Sequence, residues 1–374
     1  MGVTFMYTRF LLVGNQRCPY TGRKTRNPSH HMIYPKRKSK PTTQVTEKLS
    51  SWVSPTLKAT MILSCCAAPL SADEESSKVL NKVGVIGCMK PKKSPAFLNY
   101  SQRLKPDLML WVGDNVYADA RTPKALQGHY DKLKNKEGFK EVRMIETMAT
   151  WDDHDYGLNN SGAENPIKNE SKEIFSSFWG LPKHVKEREG IYHSRIYGKG
   201  EKSVQVIMLD CRFSKTSKTM LSKEQWDWLG EQLEKKATFR LIVSGQQVLI
   251  PKSTRFEAWT KIGNEQQRLF DLIKKKKAEG VIFVTGDQHY AETLKYPKAL
   301  GYDAWEFMFG GVNQEESACK AAAVYRVDKA HSPNKSASIV FDWGADPSVS
   351  FQIHNEKWER ILNRTVKRSQ LKSN

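Results

Sequence analysis

The chain has 374 residues, enough for one large domain or two small ones, and 39% hydrophobic content with ten tryptophans excludes a disordered protein. The formal net charge is +20, from 60 basic and 40 acidic residues, which favours an anionic substrate and is compatible with nucleic acid or acidic lipid. No nucleic-acid-binding signature, internal repeat or aromatic-interleaved basic stripe accompanies that charge, and runs such as Lys274 to Lys277 read as solvated helix faces.

The first 72 residues form a basic leader in which Glu47 is the only acidic residue before Met61, with no sustained helical or strand period. Residues 61–72 are apolar with small residues ahead of Asp73, which resembles a secretory signal cleaved after Ala72. Ile62-Leu63-Ser64-Cys65 loosely resembles a lipoprotein attachment box, and the basic composition equally fits an organellar transit peptide. A secreted, periplasmic or envelope address and an organellar one therefore both stand, and a start at Met32 would shorten the leader. No run approaches the ~18 apolar residues of a membrane span. Beyond the leader remain Cys88, Cys211 and Cys319, whose spacing gives no disulfide framework.

Past the leader the chain alternates buried strands with polar helices. Val83-Gly84-Val85-Ile86 ends in Gly87-Cys88, and a helix is expected around residues 94–104. Leu108-Met109-Leu110-Trp111-Val112 is an apolar run that stops abruptly at Gly113-Asp114, with Tyr117 three residues on. A buried parallel strand delivers its terminal carboxylate to the carboxyl edge of a sheet, where ligands of α/β folds collect. The glycine is expected to let backbone and a metal or phosphate approach closely. Residues 123–148 read as helical cover for the sheet. They lead to Trp151-Asp152-Asp153-His154-Asp155, whose carboxylates repel one another at a packed site unless cations compensate them.

Residues 175–181 are aromatic-rich and read as core, or as one wall of a substrate mouth. Val204 to Met208 is a further buried strand, followed by Leu209-Asp210-Cys211-Arg212. Ser222-Lys223-Glu224-Gln225 is a capping box opening a helix with Trp226, Leu229 and Leu233 on its apolar stripe. Leu241-Ile242-Val243-Ser244 runs into Gly245-Gln246-Gln247, and residues 270–279 read as a helix. Val281-Ile282-Phe283-Val284-Thr285 then ends in Gly286-Asp287-Gln288-His289. Short strands follow, over residues 338–343 and 349–353, ahead of a peripheral basic tail. The strand ends together supply thiolate, carboxylate, phenolate and imidazole, the donors of a mixed metal centre.

In Gly87-Cys88, Gly113-Asp114-Asn115-Val116-Tyr117-Ala118-Asp119, Trp151-Asp152-Asp153-His154-Asp155, Leu209-Asp210-Cys211-Arg212 and Gly286-Asp287-Gln288-His289 the chain resembles the alkaline phosphatase D (PhoD-type) branch of the metallophosphoesterases. The resemblance implies an α/β fold, a four-layer α-β-β-α sandwich of two mixed sheets flanked by helices. It implies three regions: the leader 1–72, a PhoD-like domain 73–355, and the basic tail 356–374. The implied activity is hydrolysis of phosphomonoesters, phosphodiesters or both by a metal-bound hydroxide at a binuclear-type centre. Fe(3+) and Ca(2+) are the implied cofactors, with other divalent metals as alternatives.

Gly113-Asp114 followed by Tyr117 also looks like the purple acid phosphatase motif, so Asp114 is expected to bridge two metals while Tyr117 and Cys88 bind the ferric ion. By the same resemblance Asp153, Asp287 and His289 complete the metal ligands. Gln246, Asn159 and Asn160 are further candidates. His154 is expected as general acid, with Asp155 orienting it. Arg212 is expected either to clamp phosphate or to form an internal salt bridge. The rival expectation is a catalytically inactive basic protein that holds nucleic acid or anionic surfaces on the same fold.

Overall fold

The computed structural model describes residues 75–90, 92–93, 97–332 and 335–373. The leader, with its signal, lipoprotein and transit readings, lies outside the described residues. In chain order the strands are β1 (Glu75–Ser76), β2 (Lys82–Ile86), β3 (Leu108–Val112), β4 (Thr147–Thr150), β5 (His193–Tyr197), β6 (Val204–Met208) and β7 (Phe239–Ser244). They continue with β8 (Val281–Thr285), β9 (Ala291–Tyr296), β10 (Ala304–Phe309), β11 (Ser336–Asp342), β12 (Ser348–His354) and β13 (Arg360–Lys367). The helices are α1 (Phe97–Asn99), α2 (Pro123–Lys134), α3 (Phe139–Arg143), α4 (Asp153–Tyr156), α5 (Lys168–Trp179), α6 (Lys183–Lys186), α7 (Lys223–Glu234) and α8 (Glu265–Lys275).

Two mixed sheets result. One runs β1-β5-β6-β7-β8-β10-β9, with β6, β7, β8 and β10 parallel; the other runs β13-β12-β11-β2-β3-β4, with β2, β3 and β4 parallel. Of these, β3, β6 and β8 are buried along their whole length, and β3 is an uninterrupted apolar run, because a parallel strand with both faces covered has no polar side to alternate. The sheets meet through aromatic pairs. Phe307 of β10 stacks on Phe351 of β12 at 5.0 Å, and Phe239 of β7 lies 5.6 Å from Phe341 of β11.

Helices close the outer faces. Trp111 of β3 packs on Phe97, Phe139 and Trp179, which joins α1, α3 and α5 over one sheet. Phe175 and Trp179 are thus core, not a wall of the substrate mouth. On the other sheet α8 places Phe270 against Phe283 of β8. The Ser222 hydroxyl accepts from the Gln225 N–H at 3.1 Å at the start of α7, but the expected box does not close, because the Gln225 side chain bonds the Asp210 N–H and carbonyl instead.

Three expectations shift. Residues 123–148 are not one helical cover. The chain breaks at Gly138 (φ +77°) between α2 and α3, and its last part becomes β4, whose apolar residues pair in parallel with β3. The helix read over 270–279 begins earlier, at Glu265, because the apolar stripe of Leu269, Phe270 and Ile273 starts one turn later than the helix itself. The stretch taken as a peripheral tail, 356–374, instead supplies β13, which pairs antiparallel with β12 and buries Leu362 and Val366. Leu362 and Val366 share the inner face of this edge strand with the half-buried Arg364, while Asn363, Thr365 and Lys367 face water.

Candidate metal and phosphate site

The same two-residue turn ends three strands. β2, β3 and β8 each stop at a glycine, and the next residue, Cys88, Asp114 or Asp287, adopts a left-handed backbone with φ of 52°, 53° and 67°. Such conformations are uncommon for residues other than glycine, and backbone strain of this kind gathers at functional sites. The glycines serve a purpose other than the expected approach of metal or phosphate. A Cβ on Gly113 (φ +104°) would lie 2.8 Å from the Asp152 Cβ, and one on Gly286 would lie 2.6 Å from the Val112 carbonyl. The missing side chains let β3, β4 and β8 bring their ends together, although β8 belongs to the other sheet.

Those ends form two donor groups that share one residue. Ligand atoms of Cys88, Asp114 and His289 lie within 4.8 Å of one another, as do those of Asp114, Asp153 and His154. The Tyr117 hydroxyl is 3.1 Å from Asp114 Oδ2 and 2.9 Å from His289 Nε2, so it joins the first group. Asp287 lies in the same cleft, a cavity of about 380 Å³ that also takes in Asn159, Asn160, Arg255, Glu257, Lys261 and Gln288. Among the described residues all three cysteines are free and buried.

The electrostatics are unfavourable to the protein alone. Burial pushes the Asp114 carboxyl well above its usual range, and the charges of Asp153, Asp152, Asp155 and Asp287 push it further. Burial raises Asp287 too, with Asp152 and Asp153 adding to it. The Cys88 thiol is raised by burial and then by Asp114 and Asp287. His289 is held down to about 4, first by burial and then by Lys90, His154, Lys335 and Lys93, which keeps its imidazole neutral. Asp153 is the exception: Arg212, His154 and the Asn160 and His154 N–H groups outweigh its burial and hold it below its usual value. Asp114 Oδ1 is buried with no hydrogen-bond partner. An orphaned carboxylate oxygen among crowded acids is costly without a cation, so the donor set fits bound metal ions.

Two of the expected catalytic residues take other roles. Asp155 does not orient His154. Its carboxylate turns back under the sheet and accepts from the Asn115 N–H at 2.9 Å, the Asn115 amide at 2.6 Å and the Asp152 N–H at 2.7 Å. His154 Nδ1 instead lies 2.7 Å from Asp119 Oδ1, and its ring stacks on Tyr117 at 4.3 Å. Asp119 stands in the quoted strand-end motif, but nothing in the spacing singles it out.

Arg212 is fully buried and makes internal bridges, so it is not placed to clamp phosphate. Its Nε donates to Asp152 Oδ1 at 2.6 Å, Nη1 lies 2.7 Å from Glu257 Oε2, and Nη2 lies 3.7 Å from Asp153 Oδ1. The Gln246 amide oxygen, once its amide is turned to satisfy both neighbours, also accepts from Arg212, which occupies that candidate ligand. Substituting Arg212→Met would leave Asp152 as an uncompensated buried charge, while Glu257 keeps its bridge to Lys215. A loss of about 3–5 kcal/mol is expected, read as a lower midpoint in urea unfolding. An unchanged midpoint would show that the bridges contribute nothing.

The sandwich of two mixed sheets with acidic strand ends at one edge is similar to the folds of two phosphatases of known structure. The fold matches the structure of PhoD with a TM-score of 0.60 at 13% identity, over 79% of this chain and 73% of that one. It also matches purple acid phosphatase PPD1 from yellow lupin (Lupinus luteus) seeds, with a TM-score of 0.57 at 12% identity, over 78% of this chain and 54% of that one. No curated protein matches the sequence.

Residues 182–360 match the model of the PhoD-like phosphatase family. The match covers just under half of the chain and marks this stretch as similar to PhoD-like phosphatases. The matched stretch contains Asp287 and His289. Cys88, Asp114, Tyr117, Asp153 and His154 precede it and join the site through the fold. No helix among the described residues is long and apolar enough to cross a membrane.

Proposed function

We propose that the chain hydrolyses phosphate esters, monoesters, diesters or both, at a binuclear metal centre whose shared ligand is Asp114. The observation that carries this reading is the membership of Asp114 in both donor groups, with one of its oxygens buried and otherwise unpartnered. Cys88, Tyr117 and His289 would hold an ion on one side of Asp114, and Asp153 and Asp287 one on the other. Soft and phenolate donors on the first side suit Fe(3+), and oxygen donors on the second suit Ca(2+) or another hard divalent ion. When bound, such ions activate water and neutralise phosphate charge.

The chain's own residues supply the rest. His154, half-buried at the cleft with Asp119 behind Nδ1, is placed to deliver a proton through Nε2 to the departing oxygen. Asp155 and Asn115 fix the turn after β4 that carries Asp153 and His154. Arg212, anchored by Asp152 and Glu257, holds Asp153 ionised. Metal analysis of the purified protein beside phosphomonoester and phosphodiester assays tests the proposal. Metal-free protein that hydrolyses both as fast as the loaded form defeats it.

The assignment of Tyr117 and Cys88 to a ferric ion carries its own expected result. Phenolate and thiolate ligands to Fe(3+) should give a charge-transfer band in the visible spectrum. Tyr117→Phe should weaken or shift that band while the ring still stacks on His154. A colourless, iron-free and fully active enzyme is the outcome that rules the assignment out.

A further inference from the structure

The mechanism above leaves four lysines near the site unused: Lys261, which lines the cleft, and three that converge near His289. Lys90 Nζ lies 4.9 Å from the Tyr117 ring centroid. Lys93 stands on the same turn, and Lys335 reaches in from the segment before β11 with its ammonium 3.5 Å from the Gly311 carbonyl. All three face His289 closely enough to depress its basicity. Gly311 packs against His289 itself, since a Cβ there would sit 2.7 Å from the His289 Cα. None of the three lysines forms an ion pair with a carboxylate among the described residues.

Two features separate this cluster from ordinary surface charge. Lys335 is only 3% exposed, and burial without an acidic partner is costly for an ammonium. The turn that carries Lys90 is also held in place. Asn313, itself buried, accepts from the Lys90 N–H at 2.9 Å and donates to the Lys90 carbonyl at 2.9 Å. These bonds fix the Lys90 backbone, so only its side chain has freedom to lose when its head meets an anion. The acidic donors of the site are the natural counter-charge while no ion is bound. Once cations compensate those donors, the half-buried Lys90 and the exposed Lys93 are left to meet an anion, with the buried Lys335 adding its charge. The opposite wall differs: Arg255 there is already paired with Glu316 at 2.8 Å.

We propose that Lys90, Lys93 and Lys335 form a second anion subsite, selecting phosphate esters whose organic part carries a further phosphate or carboxylate group. The inference rests on the phosphoesterase reading and names the substrate class that this site prefers.

The test uses the metal-loaded full chain and three aryl phosphates matched in leaving-group acidity: one uncharged on the ring, one bearing a carboxylate and one bearing a second phosphate. The charged esters should show about tenfold higher kcat/KM at low ionic strength, the size of one charge-assisted contact. The gain should lie in KM and fade with added salt. In the double variant Lys90→Gln/Lys93→Gln the ratio of charged to uncharged ester should fall close to one.

A ratio near one in the unsubstituted enzyme overturns the subsite, as does a ratio that survives the double substitution. If Lys261→Gln abolishes the preference instead, the second anion binds the opposite wall and the assignment to these lysines is wrong. A preference for only one of the two charged esters would identify the group recognised. Failure to hydrolyse any of the three esters, with metal bound, refutes the phosphoesterase reading itself and is thereby distinguishable from failure of the subsite.

Discussion

Asp114→Asn is expected to lower metal content and activity together, with a fall in turnover of about 10³-fold or more, since bound metals supply several kcal/mol of charge stabilisation in such reactions. The substitution is a clean probe because of the backbone. Asp114 has φ +53°, and asparagine is among the few residues that tolerate this conformation, so the turn after β3 should survive. What changes is charge. The aspartate offers one buried oxygen with no protein partner and one that accepts from Tyr117, and both donor groups depend on it. Neutralising it also relieves repulsion from Asp153, Asp152, Asp155 and Asp287. The metal-free variant should therefore be at least as stable to urea as the metal-free parent. Metal analysis, turnover and unfolding on the same preparation measure all three. A variant that retains two ions per chain would remove Asp114 from the shared position.

The strand ends that build this site were legible because they follow from one physical rule. A parallel strand buried on both faces must be an unbroken apolar run, so its end is marked by the first polar residue, and here that residue follows a glycine three times over. Cys88, Asp114 and Asp287 are therefore readable from the sequence, and Tyr117 and His289 by their short offsets from such ends. β9 was not legible, since the buried Glu292 and Thr293 in its interior leave no apolar run to read. β13 was masked by its own charge, since Arg364, paired with Asp328, sits on the same face as Leu362 and Val366 and breaks the apolar alternation.

Side-chain direction was the harder matter. Asp155 adjoins His154 in sequence, yet on the short turn of α4 its carboxylate points back to the Asp152 N–H. The residue that meets His154 is 35 positions earlier, at the exposed Asp119. Arg212 follows a strand as a phosphate clamp would, but Asp152 and Glu257 surround its guanidinium and leave no face for a ligand. The cleft wall formed by Arg255, Glu257 and Lys261 lies mostly in irregular backbone, which carries no period and so gives no signal in the sequence. Loops of this kind are read only once the scaffold has placed them.

His154→Ala separates chemistry from metal assembly, and a loss in turnover of roughly 10²–10⁴-fold with metal content intact is the expected result. The geometry alone allows a competing role, because His154 shares a donor group with Asp114 and Asp153. Three observations favour the acid. Nδ1 is engaged by Asp119, which fixes the ring and leaves Nε2 as the free end. The ring stacks on Tyr117, so its plane is set by a neighbour that belongs to the other donor group. The side chain lines the cleft beside Asp153 and is the more exposed of the two, as Asp153 is nearly buried and accepts from two backbone N–H groups. A proton donor matters most when the departing oxygen is basic, so the loss should grow along a series of esters from acidic to poorly acidic leaving groups. Asp119→Asn should reproduce that slope in weaker form, with a loss of about 10–100-fold, because it loosens the ring without removing it. Turnover across the series, with metal analysis of each variant, measures both. If His154→Ala sheds its metals as fully as Asp114→Asn, the histidine is a ligand and the division of roles fails. If it keeps its metals and its full rate on every ester, the proton comes from elsewhere, and Asp119 has only a structural part.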